Sequence, residues 1–191
     1  MRQPSGEFAR RAARIPSQRF GNVSQREKHS STKHLAVAGR LIGDWIAVEG
    51  IIEGIVEKIG FRSTTIRKFD KSLAIIPNFQ FAENAVINVS ETSNWRVRWI
   101  ITLQYDSTID QLKKVRDEIE EYINKSEDFN QATGVAVRIE KFSDSSIDLL
   151  VRCFTNSNSW SNSLEVKERL AIEIKQIVEK NGASFAFPSQ S

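Results

Sequence analysis

The chain has 191 residues, of which 40% are apolar and 27% charged, and its formal net charge is +3. That length and balance suit one large globular domain or two small ones. Cys153 is the only cysteine, which excludes intrachain disulfides and cysteine-clustered metal sites.

The mild net charge averages two unlike pieces. Residues 1–40 carry nine basic and two acidic groups, a balance of +7, while the remainder carries 18 basic and 22 acidic groups, a balance of −4. The sequence pI near 9.1 therefore belongs to the leader. Low hydrophobicity with high charge predicts that residues 1–40 are disordered, with at most a short helix around Phe8 to Ile15. A basic tail of this kind suits acidic lipid or nucleic acid, or has no binding role at all. The body shows no basic footprint for nucleic acid. Its apolar runs are only a few residues long, such as Ala74-Ile75-Ile76 and Leu149-Leu150-Val151, and fall far short of the ~20 residues that a spanning helix needs. No apolar stretch follows the charged N-terminus, so no signal peptide is expected.

From Leu41 the pattern becomes short strands. Trp45 to Val48 reads as one, and Ile51 to Ile59 as a second, interrupted by Gly54. Phe61 to Phe69 is the third. Asp70-Lys71 makes a hairpin turn, and Leu73 to Ile76 returns as the fourth. Pro77 has no N–H to donate, so it ends that strand or lies at a sheet edge. A helical turn within 79–86 and an extended Val86 to Val89 complete a small barrel or sandwich. Trp45, Phe61 and Phe69 alternate with core positions and are expected inside.

The second half changes pattern. Trp95 to Tyr105 is a long strand with Val97, Trp99, Ile101 and Leu103 on one face. Ser107 caps the next helix, whose buried face takes Ile109, Leu112, Val115, Ile119 and Tyr122. Gly134 to Phe142 and Ile147 to Phe154 are strands around an Asp144-Ser145-Ser146 turn. Asn162 and Glu165 cap a second helix with a stripe of Leu170, Ile174, Ile177 and Val178, and Asn181-Gly182 stops it. The segment from Phe185 is extended. This order predicts an α/β sandwich of split-βαβ, ferredoxin-like type, and an α+β protein overall.

Candidate chemistry is sparse. His29 and His34 lie in the leader, where nothing holds them in near-attack geometry. One Cys and two leader His do not make a zinc site. Asp117/Glu118 and Glu120/Glu121 fall on the polar face of a predicted helix. Asp144 and Asp148 are turn-formers. Gly50 and Gly54 lie in strand context, not in a phosphate loop. Arg62, Arg67 and Lys68 form a small basic cluster, opposed by Asp44, Glu49, Glu53 and Glu57. Cys153 reads as a small buried residue. No enzyme, cofactor or metal is expected. On these residues alone, a two-domain binding or assembly protein results.

A family resemblance goes further. The run from Gly54 to Asp70, GIVEKIGFRSTTIRKFD, is followed by Leu73-Ala-Ile-Ile-Pro77-Asn78. This resembles the cytoplasmic β domain of the small-conductance mechanosensitive channel (MscS) family. Ile42-Gly43-Asp44-Trp45-Ile46 resembles the segment just after that family's pore helix. Tyr105-Asp-Ser-Thr-Ile-Asp110, Phe142-Ser-Asp-Ser-Ser-Ile-Asp148 and Phe185-Ala-Phe187-Pro188-Ser-Gln190 resemble its α/β domain and exit. The likeness covers about residues 42–190, in the family's order.

The resemblance implies an Sm-like β barrel over 41–92, an α/β sandwich over 93–184 and the start of a C-terminal barrel strand over 185–191. Gly43, Asp44, Gly54, Arg62, Ser63, Thr64, Asp70, Pro77, Asn78, Phe187 and Pro188 would be the family's structural signature positions. Ser63, Thr64 and Thr65 suit an edge or subunit-facing strand, or merely shape one barrel. Asn78 would bond local backbone to start the next turn. The family builds a homo-oligomeric, heptameric cage under a tension-gated pore that passes inorganic ions and small osmolytes. Its place is the inner cell membrane, with this region on the cytoplasmic side. Two departures stand out. Ser31 to Arg40 occupies the place of the pore helix, and the chain stops at Ser191. The expectation is a cage portion that does not insert into a membrane or conduct by itself. Its partners would be copies of itself or full-length subunits, with no nucleic acid. The alternative is a soluble Sm-like nucleic-acid-binding or assembly module with a basic tail.

Overall fold

The computed structural model describes residues 41–187. The basic leader, with its expected disorder and short helix, and Pro188 lie outside them.

The first sheet is an antiparallel meander. It contains β1 (Trp45–Val48), β2 (Ile52–Ile59), β3 (Ser63–Arg67), β4 (Leu73–Pro77) and β5 (Val86–Asn88), with helix α1 (Asn78–Glu83) between the last two. The strand order is β4-β3-β2-β1-β5. Turn chemistry sets this path. Gly50 takes a φ of +70° between β1 and β2, where an L side chain would be strained. In the β3–β4 turn, Lys71 itself adopts a φ of +71°. Asp70 offsets that strain: its carboxylate accepts from the Ser72 N–H at 2.8 Å and from the Ser72 hydroxyl. Those bonds, with the Lys68 ammonium, hold the Asp70 carboxyl down at about 2.

Alternation then selects the core. Ile46, Val56 and Ile66 are buried, with Leu41, Ile52, Ile59, Ile76, Phe81 and Val86 packed around them. Two expectations are corrected here. β3 is not an edge, because it pairs with β2 on one side and β4 on the other. The edges are β4 and β5. Phe61 and Phe69 are not core residues, being 87% and 54% exposed. Both lie in the turns flanking β3, beyond the reach of its two-residue alternation.

The second sheet has three strands, β6 (Arg96–Leu103), β7 (Ala136–Phe142) and β8 (Ile147–Phe154), in the order β6-β8-β7. Helix α2 (Ile109–Lys125) follows β6, and α3 (Trp160–Lys180) follows β8. Val97, Leu103, Val137, Leu149, Val151 and Cys153 meet Leu112, Val115, Ile119, Ile123, Leu170, Ile174 and Val178 in one core. Ile109 is 70% exposed; the buried stripe of α2 instead ends on Ile123.

Both helix starts differ from expectation. Thr108, not Ser107, caps α2. Gln111 answers it, its carbonyl accepting from the Thr108 N–H at 2.8 Å while its amide donates to the Gly182 carbonyl at 2.9 Å. The tertiary tie to Gly182 decides between two adjacent hydroxyls. Helix α3 starts at Trp160 with Ser159 as its cap. Asn162, the expected cap, supplies the N–H that Ser159 accepts. After α3, Gly182 turns the chain at a φ of +70°. The Gln104 N–H donates to the Ser184 carbonyl and the Ala186 N–H to the Thr102 carbonyl. Phe185 bridges Leu103, so the exit segment runs extended along the end of β6.

Fold class is thus α+β, as the patterning predicts. Among the described residues, no helix is long and apolar enough to cross a membrane.

The β7–β8 hairpin makes an acid-sensitive clasp. Asp148 is buried and accepts from the Ser146 and Ser143 hydroxyls, each at 2.7 Å. These bonds hold its carboxyl below the usual range, against the cost of desolvation and with help from Lys141. A depressed pKa stabilises above the unfolded value and loses that contribution as pH falls through the folded one. Acidification from near pH 4 downward is therefore expected to lower the wild-type melting temperature more than that of Asp148→Asn. Parallel thermal melts across this range measure the difference.

Candidate functional site

Three tryptophans from three elements meet where the two sheets adjoin. Trp45 opens β1, Trp95 precedes β6 and Trp160 opens α3. Ring centroids lie 6.0 Å apart for Trp45–Trp95, 5.7 Å for Trp45–Trp160 and 4.9 Å for Trp95–Trp160. Phe69, from the β3–β4 turn, meets Trp45 edge-on at 5.0 Å. The indoles are also pinned by polar bonds. Trp45 Nε1 donates to Glu53 Oε1 at 3.0 Å, and Trp95 Nε1 donates to the Asn158 carbonyl at 2.9 Å. The Lys167 ammonium lies 5.1 Å from the Trp160 ring centre, a cation–π contact.

Offset and edge-on aromatic pairs contribute about 0.5–1.5 kcal/mol each beyond area burial. No strand of the first sheet packs extensively on an element of the second. This aromatic cluster is therefore a side-chain contact through which the two halves meet. Sequence patterning assigned Trp45 to the barrel core and missed Trp95 and Trp160. The available signal was their position, each just outside a periodic run, where a large side chain escapes its own element's core.

The positions that the resemblance singles out differ in their contacts. Gly43, at a φ of +92°, donates to the Val56 carbonyl at 2.8 Å. Asp44 accepts from the Asn88 amide at 2.7 Å, tying the entry segment to β5. Gly54 is buried where β2 crosses β3. Arg62, exposed, offers its carbonyl to the Asn78 N–H at 2.9 Å. Ser63 pairs with Pro77, the last residue of edge strand β4. Phe187 is 77% exposed beyond the β6 bridge.

Asn78 does more than start a local turn, which corrects the expectation. Its amide donates to the Gly60 and Phe61 carbonyls at 2.9 and 3.2 Å, and its Oδ1 accepts from the Thr64 hydroxyl at 2.9 Å. One side chain thus staples the β2–β3 turn to the end of β4. Removing it strands a buried hydroxyl and two carbonyls. Asn78→Ala is expected to cost about 2 kcal/mol in urea unfolding.

Among the described residues, the edges of the first sheet have no further strand partner and carry exposed apolar side chains. On β4, Leu73 and Ile75 are 48% and 65% exposed; on β5, Ile87 is 56% exposed. Unpaired edges carrying apolar side chains are templates for another strand.

Groups with reactive potential are engaged otherwise. Asp117, Glu118, Glu120 and Glu121 pair with Arg116, Lys180, Arg138 and Lys125 respectively. Burial pushes the Cys153 thiol up to about 12, so it is no thiolate nucleophile. Among the described residues, no group of three or more His, Cys, Asp or Glu is placed to hold a metal ion.

An aromatic joint and two strand edges without partners among the described residues are the features this structure offers. Comparison with known proteins places it. Residues 40–91 match the family model "Mechanosensitive ion channel, beta-domain", and residues 97–185 match "Mechanosensitive ion channel MscS, C-terminal". An MscS family protein of Aquifex aeolicus is 38% identical over 150 residues, covering 78% of this chain and 40% of that protein. The low conductance mechanosensitive channel YnaI of Escherichia coli is 33% identical over 151 residues, covering 78% of this chain and 44% of YnaI. Among solved structures, closed-state MscS of Helicobacter pylori aligns with a TM-score of 0.66 at 24% identity, covering 87% of this chain and 65% of that one. Arabidopsis thaliana MSL1 aligns at 0.74 with 20% identity, covering 83% and 58%. The chain belongs to the MscS family of mechanosensitive ion channels. It spans less than half the length of these two curated relatives.

Proposed function

We propose that residues 41–191 form one subunit's share of a cytoplasmic cage beneath a tension-gated pore, and that the pore is supplied by segments outside this region. In this reading, 41–92 is an Sm-like β domain, 93–184 an α/β domain and 185–191 the start of a strand shared among subunits. Seven copies close a ring, either alone or with full-length subunits. Inorganic ions and small osmolytes pass through the enclosed space. The region catalyses no reaction, lies on the cytoplasmic side and does not conduct by itself.

The observation that carries this reading is the pair of open edges on a sheet with a very small core. Only Ile46, Val56 and Ile66 form that sheet's buried cluster, while Leu73, Ile75 and Ile87 face outward on β4 and β5. A second copy is the natural cover for both edges. The nucleic-acid alternative is less well supported. Arg67 of the basic cluster is held by Glu57 at 2.8 Å, and Lys68 by Asp70 at 3.1 Å.

Sedimentation velocity over a concentration series tests the assembly. The wild-type chain is expected to form a closed oligomer at high concentration, and Ile75→Lys with Ile87→Lys to abolish it. A wild-type monomer at every concentration, with no incorporation into full-length homologue rings, contradicts the proposal.

A further inference from the structure

The helix-free face of the second sheet carries arginines where a sheet would normally avoid them. Strand register places Arg98 directly opposite Arg152, on the central strand β8. Arg96 lies two residues along the same face, opposite Phe154 and diagonal to Arg152. All three are exposed, and the half-buried Ile100, Leu150 and Phe154 lie on that same face. Directly opposed like charges destabilise a strand pair, and side chains at such positions are roughly 5 Å apart at Cβ. Partial compensation comes from Glu140, which accepts from Arg98 at 2.8 Å. Among the described residues, Arg96 and Arg152 enter no ion pair. By contrast, Arg67, Arg116, Arg138 and Arg169 each meet a carboxylate.

We propose that Arg96, Arg98 and Arg152 form a binding site for a polyvalent phosphate anion. Guanidinium is a planar fork that donates two parallel hydrogen bonds to phosphate oxygens. The Arg152 fork, which enters no ion pair among the described residues, takes one phosphate, Arg98 adds its charge beside it from its pair with Glu140, and Arg96 reaches a second. The backbone ladder fixes the relative Cα positions of all three, so the ordering cost of binding is confined to their side chains. Flanking apolar side chains reduce competing water and strengthen each charged contact. The ligand is a soluble phosphate or phosphate ester with at least two negative charges. The inference rests on strand register and on exposure in the single chain, not on the cage reading.

Calorimetric titration of the full chain with inorganic pyrophosphate, at constant ionic strength near 0.15 M, tests it. Saturable binding is expected, weakened at least about tenfold by Arg152→Gln. Arg152→Lys should fall between, since it keeps the charge and loses the fork. Arg116→Gln, away from the site, should bind as wild type. Without anion, Arg152→Gln should melt no lower than wild type, because it removes a like-charge contact; a purely structural arginine would give a lower melting temperature. Absence of saturable binding overturns the proposal, as does pyrophosphate binding that survives unchanged in Arg152→Gln. Vesicles of phosphatidylcholine with phosphatidylglycerol give the second arm. Arg152-dependent capture by vesicles without pyrophosphate binding would overturn the soluble source.

Discussion

Replacing Gly54 by valine is expected to cost about 3 kcal/mol or more, enough to leave the first sheet largely unfolded. A Cβ at this position would lie 2.8 Å from Ile66 Cγ2 and closer still to the Arg67 carbonyl oxygen. The obstacle is mostly backbone, so no rotamer change relieves it. The β2–β3 pairing would have to open, although the rest of that ladder runs from Ile55↔Arg67 to Ile59↔Thr64. A glycine mid-strand is entropically unfavourable, and close strand approach is what offsets it here. Gly50→Ala is the control. Its Cβ meets nothing within 4 Å, so only the strain of positive φ is felt, on the order of 1 kcal/mol. Urea unfolding of both variants separates the effects. Gly54 itself is not at positive φ, so a loss no larger than that of Gly50→Ala would show that the crowding is relieved and would contradict this explanation.

Trp45→Ala should have the second large effect, and a different kind. Trp45 touches Phe69 in its own half and Trp95 and Trp160 in the other. Its removal takes away three aromatic pairs, about 2–4 kcal/mol together, and leaves Trp95–Trp160 within the second half intact. The expected result in calorimetry is a single unfolding transition that splits into two. The first-sheet transition, with its small core, should move to lower temperature. The second-sheet transition should hardly move. Trp45→Phe should restore most of the coupling. A single transition at the wild-type temperature would show that the halves are joined by something else. If the region acts beneath a gated pore, this joint would carry motion from the first sheet to the second.

Much of this architecture was legible because local preference and burial agree. Val97 and Leu103 alternate on β6, and Leu170, Ile174, Ile177 and Val178 recur at helical spacing on α3; those patterns alone identify the second core. Asp70 and Pro77 mark a turn and a strand end through their own backbone chemistry. The errors occur where a tertiary contact decides between local options. Thr108 prevails over Ser107 because Gln111 also reaches Gly182. Among the described residues, the buried Ser107 hydroxyl finds no hydrogen-bond partner. Trp160 begins α3 ahead of Asn162 because its indole belongs to the joint, which periodicity within α3 does not reveal. Asn78 binds residues 14 to 18 positions away, beyond any local rule. The candidate site was less legible than the fold for the same reason. A joint between two halves and a set of open edges are defined by what lies across from them. The arginine face depends on the register of β6 against β8, which alternation alone leaves free by steps of two.

The proposed cage role is open to test in a working channel. The most direct measurement replaces the matching region of Escherichia coli YnaI with residues 41–191 and records patch currents from cells lacking other mechanosensitive channels. A functional cage gives a membrane-located chimera that opens under applied tension, with Trp45→Ala altering the tension required. A chimera that reaches the membrane and assembles as YnaI does, yet stays silent up to membrane rupture, would contradict it.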